Sequence, residues 1–269
     1  MIQHQELLNF AKSLAYDAGV IMRHYYASSE KGIETKADKS PVTAADKEIN
    51  ELLITRVAQT YPDHGVLGEE ASSFDQSQTK VWVCDPIDGT AGFILGLPTA
   101  MFSLAFVENG RPTVAVAFDP FAERLFTAIQ DQGAYCNSQL IKVDDCSMQG
   151  AVVAGPGSAS GVLREQELYK DLIARGAVIP TFSGNVFKCT MIAEGKLHGR
   201  IFGGPGAHDI AAIKLIVEEA GGKVTDLEGN EQRYDRPING AIISNGTIHN
   251  DLLAAANAFG GPAKLMGRM

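Results

Sequence analysis

A β-prone apolar run, Val81-Trp82-Val83-Cys84, leads without interruption into Asp85-Pro86-Ile87-Asp88-Gly89-Thr90. The run reads as a buried strand. Proline at 86 cannot continue a central ladder and Asp88-Gly89 is a turn pair, so the hexapeptide marks the place where that strand surfaces. Two carboxylates three residues apart are thereby presented at a strand end, within reach of a ligand. Taken alone, Asp88-Gly89 would be an ordinary turn.

What lifts the segment above a turn is Gly68-Glu69-Glu70, which again places acids directly after an apolar pair, Val66-Leu67. Clustered carboxylates raise one another's pKa unless a cation keeps them ionised. Oxygen-only donors of this kind suit a hard divalent ion such as Mg2+.

The chain has 269 residues, enough for a large core in one domain or in two closely associated halves. Hydrophobic residues make up 45% and charged residues 20%, a globular balance. The net charge of -9 argues against a binder of nucleic-acid polymers, which would carry a basic face. An anionic substrate is still allowed, because bound cations reverse the local field. Cys84, Cys136, Cys146 and Cys189 show no CxxC pairing and no zinc-like spacing with the six histidines, so free thiols in a reducing compartment are expected. The amino terminus lacks the features of a secretory signal, and no apolar run approaches the length of a membrane span. A cytoplasmic protein with no membrane contact is the expectation.

Leu7, Leu8, Phe10, Ala11, Leu14, Ala15, Ala18, Ile21 and Met22 recur at helical spacing and predict an amphipathic helix over 3–26. Thr43-Ala44-Ala45-Asp46 predicts a helix start, the threonine capping the first turn and Asp46 near the positive helix end. Asn109-Gly110 between 102–108 and 111–118 is the strongest hairpin signal, and a second strand pair is expected over 125–129 and 133–136. The first half, 1–145, should therefore hold two helices and an antiparallel sheet. In the second half, 146–269, strands are expected at 151–154 and 177–182 around a helix near 164–175, with another helix through 187–193. The small-residue stretch 155–161 lacks the lysine and spacing of a P-loop and reads as a surface loop, as does 203–206. His208-Asp209-Ile210-Ala211-Ala212 opens a further helix that stops at Gly221-Gly222, with Asp209 in an ordinary capping position.

In chain order, Thr43 to Asp46, Gly68-Glu69-Glu70, Asp85 to Thr90, and Asp209-Ile210-Ala211-Ala212 ahead of Glu218-Glu219-Ala220-Gly221-Gly222 resemble the inositol monophosphatase family of Mg2+-dependent, lithium-sensitive phosphatases. The resemblance runs from the first helix past residue 245. It implies an α+β fold, the layered αβαβα sandwich shared with fructose-1,6-bisphosphatase, and a homodimer. It also implies one metal held by Glu69, Asp85 and the Ile87 carbonyl, a second held by Asp85, Asp88 and Asp209, and a third, weaker ion near Glu69, with Mn2+ as an alternative to Mg2+. Glu69 and the Thr90 hydroxyl, the latter tied to Asp46, would orient the attacking water. Backbone amides of Gly89 and Thr90, beside Asp88 and Asp209, would hold the substrate phosphate at the start of a short helix. Lys36 matches a family lysine near the outer metal, and Glu70, Asn185, Phe202 and His208 are further candidates around the site. The chemistry needs a nucleophilic water, neutralised phosphoryl oxygens and a stabilised leaving alkoxide, and metals roughly 3.5–4 Å apart serve these ends without a covalent intermediate.

Two positions depart from the family pattern. His208 stands where tryptophan usually precedes the last metal aspartate. Phe202 stands seven residues before Asp209, where inositol-selective members carry an acid that grips ring hydroxyls, and losing that acceptor argues against strict inositol selectivity. The segment 200–206 looks more like that of 3'-phosphoadenosine phosphatases, whereas Thr90-Ala91-Gly92-Phe93 resembles the inositol type. The expected activity is hydrolysis of a small phosphorylated polyol or sugar. A 3'(2'),5'-bisphosphate nucleotidase, a histidinol phosphatase and a fructose-1,6-bisphosphatase are alternatives within the same mechanism. A catalytically silent, metal-binding regulatory homologue is the alternative of another class, and the joint presence of Glu69, Asp85, Asp88, Thr90 and Asp209 argues against it. Thr90→Ala is expected to lower turnover far more than substrate affinity, and Asp88→Asn or Asp209→Asn to abolish Mg2+-dependent turnover with the fold intact. Steady-state phosphate release checks both, and near-normal kinetics in either aspartate variant rejects the metal assignment.

Overall fold

The computed structural model describes residues 2–75, 77–157 and 159–267. The helix expected over 3–26 is α1 (Ile2–Ala27), whose buried face of Leu7, Ala11, Leu14, Ala18 and Met22 keeps three- and four-residue spacing. A small ladder of β1 (Glu34–Thr35) and β2 (Pro41–Val42) leads to α2 (Ala44–Thr60). Then come β3 (Gly65–Gly68), β4 (Ser72–Ser73), β5 (Lys80–Asp88) and the short α3 (Thr90–Ile94). β6 (Met101–Glu108), β7 (Arg111–Asp119), β8 (Arg124–Ile129), β9 (Ala134–Cys136) and β10 (Gln139–Ile141) make a run of antiparallel hairpins. The second half supplies β11 (Val153–Ala154), α4 (Ala159–Ala174), α5 (Asn185–Ala193), β12 (Gly199–Phe202), α6 (Ala211–Glu219), β13 (Lys223–Thr225), β14 (Ala241–Ser244), α7 (His249–Phe259) and α8 (Gly261–Leu265).

Five layers result. An eight-stranded sheet, ordered β10-β9-β8-β7-β6-β5-β3-β4, carries α1 and α2 on one face and α5 and α6 on the other. Those inner helices also cover a four-stranded sheet, β11-β12-β14-β13, whose far side is closed by α4, α7 and α8. This is the expected αβαβα sandwich. The central core draws Val83, Ala105, Ala117 and Phe126 from the large sheet and Ile213, Val217 and Ile243 from the second half, so the surface between the halves is hydrophobic core. No helix among the described residues is long and apolar enough to cross a membrane.

The β6–β7 hairpin turns at Asn109 and Gly110 with φ of 54° and 86°, the left-handed pair that a two-residue turn of this hand requires. Four expectations need correction. The first-half sheet is mixed, because β3 pairs parallel to β5. β5 does not end before Pro86 but runs on to Asp88, the ladder to β6 breaking register between Asp85 and Asp88, which is how proline is tolerated there. Residues 177–182 make one parallel bridge, Val152 to Val178, and otherwise follow β11 through single bonds such as Gly155 N–H to the Pro180 carbonyl at 2.8 Å. Within the expected surface loop, Gly155 and Pro156 are buried, Ser158 lies outside the described residues, and α4 starts at Ala159.

His249 is 2% exposed, with Nδ1 2.9 Å from Ser244 Oγ and Nε2 3.0 Å from Thr225 Oγ1, so it pins α7 to β14 and β13. Burial, with Lys223 and Lys214 adding to it, lowers its pKa from 6.5 to about 4. Between these two values the unfolded chain binds more protons than the folded one. Stability therefore rises with pH across that window and is lost as pH falls through it. In His249→Gln the melting temperature should lose this segment of its pH dependence, and a curve parallel to that of the native chain would contradict the assignment.

Candidate active site

Parallel pairing explains why two distant acidic segments meet. Gly68 lies opposite Cys84 in the β3–β5 register, and the Glu69 amide donates to the Cys84 carbonyl at 3.1 Å. Glu69 thus leaves the carboxyl end of β3 beside Asp85, where the β5 ladder breaks shortly before that strand ends, at the edge where open sheets bind ligands. Gly68 permits the approach, since a Cβ there would collide with Asn50 Oδ1 and the Ala71 carbonyl.

The bulge in β5 turns Asp85 and Asp88 toward the same space. Gly89, at φ 86°, ends the strand and caps α3, and a Cβ on it would stand 3.1 Å from the α-carbon of Gly184, the residue before α5. Two helix amino-termini therefore converge beside the acids, an arrangement that favours an anion.

Asp209 completes the group. It sits in the turn two residues ahead of α6, upstream of the helix start that its sequence suggested. One carboxylate oxygen from each of Asp85, Asp88 and Asp209 lies within 4.8 Å of the other two. Asp85 and Asp88 are 3% and 4% exposed, and the Asp209 side chain is 21% exposed, so the group opens to solvent on the Asp209 side. Burial, then Glu69, Asp88 and Asp209, push Asp85 well above the carboxylate range. Asp209 is pushed well up by burial, then by Asp88 and Glu69. Three crowded oxygen donors held at such a cost fit a hard divalent cation, which would restore their ionised form.

Asp88 has a second task that the sequence did not disclose. Its two oxygens accept the backbone N–H groups of Asn185 at 3.0 Å and Val186 at 2.8 Å, capping α5 from 97 and 98 residues away. No local pattern signals a cap supplied across such a separation. Burial raises Asp88 to about 6, and these two amides hold it from going higher.

Glu69 and Glu70 stand at the outer edge, both accepting from Lys36 Nζ, at 2.7 Å and 2.6 Å. Burial alone would lower the Lys36 pKa, but its bonds to the two glutamates prevail and raise it. Burial likewise raises Glu70, with Lys36 opposing. Behind them, the Thr43 amide and hydroxyl donate to Asp46 Oδ2 at 2.8 Å and 2.6 Å at the start of α2. Burial lifts Asp46 to about 6 against those bonds. The Thr90 hydroxyl has a single proton and two acceptors in reach, the Ile87 carbonyl at 2.9 Å and Asp46 Oδ1 at 3.2 Å. The Ile87 amide in turn donates to Asp85 Oδ1 at 3.1 Å, so Asp46, Thr90, Ile87 and Asp85 form one chain of contacts.

Of the remaining candidates, His208 adjoins Asp209 and Asn185 adjoins Asp88. His208 Nε2 lies 3.5 Å from Asp209 Oδ2, and burial lowers its pKa below the usual histidine value, which favours a neutral ring. Gly206 leaves room for both, since a Cβ there would strike Asp209 Oδ2 and the His208 ring. Phe202, half-buried at the end of β12, lies over Gly204. Asn185 Oδ1 accepts from Arg200 Nε at 3.4 Å.

An αβαβα sandwich with buried carboxylates at the mouth of a parallel strand pair and helix termini aimed at the same point is the frame of a metal-dependent phosphatase. The description "Inositol monophosphatase family" matches residues 3–259, nearly the whole length. The Nus factor SuhB of Pasteurella multocida is 33% identical, over 83% of this chain and 86% of its own. Inositol monophosphatase 2 of Solanum lycopersicum is 30% identical, over 94% and 98%. An IMPase/NADP phosphatase solved with Mg2+ and phosphate superposes with a TM-score of 0.84 at 25% identity, covering 96% of this chain and 98% of that one. The chain belongs to the inositol monophosphatase family, whose members depend on Mg2+.

The two aspartates should separate in stability. In metal-free protein at pH 8, Asp209→Asn relieves repulsion and is expected to raise the melting temperature. Asp88→Asn relieves repulsion too but strips an acceptor from the α5 amides, a difference of about 1 kcal/mol in favour of the Asp209 variant. Equal gains in the two variants would mean that Asp88 does not hold α5.

Proposed function

We propose that the protein hydrolyses a small phosphorylated polyol or sugar, with Glu69, Asp85, the Ile87 carbonyl, Asp88 and Asp209 holding two to three Mg2+ ions, Mn2+ serving in their place. The observation that carries this reading is the convergence of Asp85, Asp88 and Asp209 oxygens within 4.8 Å. Bound ions would supply an activated water and neutralise the phosphoryl oxygens. The chain's own residues do the placing. Thr90, held between Ile87 and Asp46, offers its oxygen to a water on the β5 side, and Glu69 stands at the neighbouring strand end as the second orienting group. The Gly89 and Thr90 amides, at the start of α3, are the anchor for the phosphate.

The second half, 146–269, contributes Asp209 and the loop 203–206, and we assign substrate choice to it. Phe202 offers no acceptor for a ring hydroxyl, which supports a substrate range wider than inositol phosphates. A 3'(2'),5'-bisphosphate nucleotide, histidinol phosphate and fructose 1,6-bisphosphate belong in the same assay. The family resemblance supports inhibition by Li+, a cytoplasmic setting and a homodimer, for which exposed Leu95 and Leu97 offer apolar surface.

The test is phosphate release from inositol 1-phosphate and those three compounds, with Mg2+ and with chelator. We expect release only with Mg2+, and none above background in Asp209→Asn. Calorimetric Mg2+ binding without release from any of them would favour a silent regulatory homologue. Release that persists in chelator would contradict the metal assignment.

A further inference from the structure

Behind the carboxylates lies a cationic group that the proposed hydrolysis leaves unused. Lys188 is 2% exposed and Arg200 8%. Asn185 and Lys188 are three residues apart on α5 and share a face. Arg200, on β12 against that helix, places Nε 3.4 Å from Asn185 Oδ1. Lys188 Nζ donates to the Gly155 carbonyl at 3.0 Å and lies 5.4 Å from the Phe182 ring centre. Arg200 Nη1 donates to the Tyr169 hydroxyl at 3.0 Å and approaches the Ala154 carbonyl at 3.4 Å.

Buried cations are normally paired with an acid. Among the described residues, neither Lys188 nor Arg200 makes an ion pair. Glu165 is engaged by Arg164 at 2.7 Å and meets Arg200 through the Tyr169 hydroxyl, while Asp88 and Asp209 act on Lys188 and Arg200 from beyond ion-pair distance. The Asn185 side-chain nitrogen is also buried and donates to no acceptor among the described residues. Three donor groups thus stand together with too few acceptors, and the Asn185 backbone ties them directly to Asp88. The exposed Gly157 lies over the ammonium, a Cβ on it standing 3.4 Å from Lys188 Nζ, an ordinary contact distance.

We propose that Asn185, Lys188 and Arg200 form a subsite for a second anionic group, a phosphate or a carboxylate, carried by the same substrate molecule as the scissile phosphate. The inference rests on the phosphatase reading and narrows it to substrates with two acidic groups. Nothing acidic at Phe202 opposes such a group. A charged hydrogen bond from either cation is worth about tenfold in affinity.

The experiment uses two substrate pairs, fructose 1,6-bisphosphate with fructose 1-phosphate and 3-phosphoglycerate with glycerol 3-phosphate, in the presence of Mg2+. The first pair isolates a second phosphate, the second a carboxylate. Native protein should favour the doubly acidic member of at least one pair by about tenfold or more in kcat/KM. Lys188→Met and Arg200→Gln should collapse that ratio toward one, mainly by raising KM. Equal native rates within both pairs overturn the subsite. So does a variant that slows both members alike, the mark of cations that serve only as internal counter-charge to Asp88 and Asp209. Lys188→Met removes a buried charge at similar volume, and should it fail to fold, Arg200→Gln and the native ratio decide. If no substrate releases phosphate, the phosphatase reading fails by itself. Calorimetric affinities for the same pairs then judge the subsite, equal affinities rejecting it and tighter binding of a doubly acidic member, lost in the variants, supporting it.

Discussion

Repulsion among Asp85, Asp88 and Asp209 is the constraint around which the rest of the structure is arranged. Each is supplied by a different device: the edge of a bulge within a strand, the end of that strand, and a turn before a helix more than a hundred residues on. Burial denies each carboxylate the water that would hold it ionised. Such a cluster is a net cost to the empty fold, offset by the hydrophobic layers on either side of α5 and α6. Its presence makes physical sense where a cation repays the cost on binding.

The fold moderates that cost with its own charges and dipoles. Lys36 spans Glu69 and Glu70 at the solvent edge, and the α5 amides meet both oxygens of Asp88 in the interior. Asp88 therefore joins the halves mechanically as well as electrostatically. Any change of charge at the site is felt at the start of α5, the helix that also carries Asn185 and Lys188.

Much of this was legible in the sequence, and the parts that were not share a cause. Helical spacing gave α1, and Asn109-Gly110 gave the β6–β7 hairpin, because both signals are local. Pro86 misled on the end of β5, since a bulge satisfies the same rule without stopping the strand. Residues 177–182 are apolar enough for a strand but, among the described residues, find a single bridge partner in Val152. Family likeness suggested a link from Thr90 to Asp46, whereas the Ile87 carbonyl, the other acceptor in reach of that hydroxyl, was suggested only as a metal ligand. Lys188 gave no signal, because a lysine in an apolar helical run reads as one that reaches for solvent. Arg200 on β12 and the capping by Asp88 depend on contacts between distant segments, and no periodicity encodes them.

The most direct test of the account is a calorimetric Mg2+ titration of the native chain at pH 6.5, repeated in buffers of different ionisation enthalpy. Asp88, raised to about 6 by burial, still holds a proton in part of the molecules at that pH, and burial and mutual repulsion push Asp85 and Asp209 up as well, so binding should release protons and the apparent enthalpy should change with the buffer. Binding with net proton release is the predicted result. No binding, or binding whose heat is the same in every buffer, would contradict the claim that a cation relieves a buried, mutually repelling carboxylate cluster.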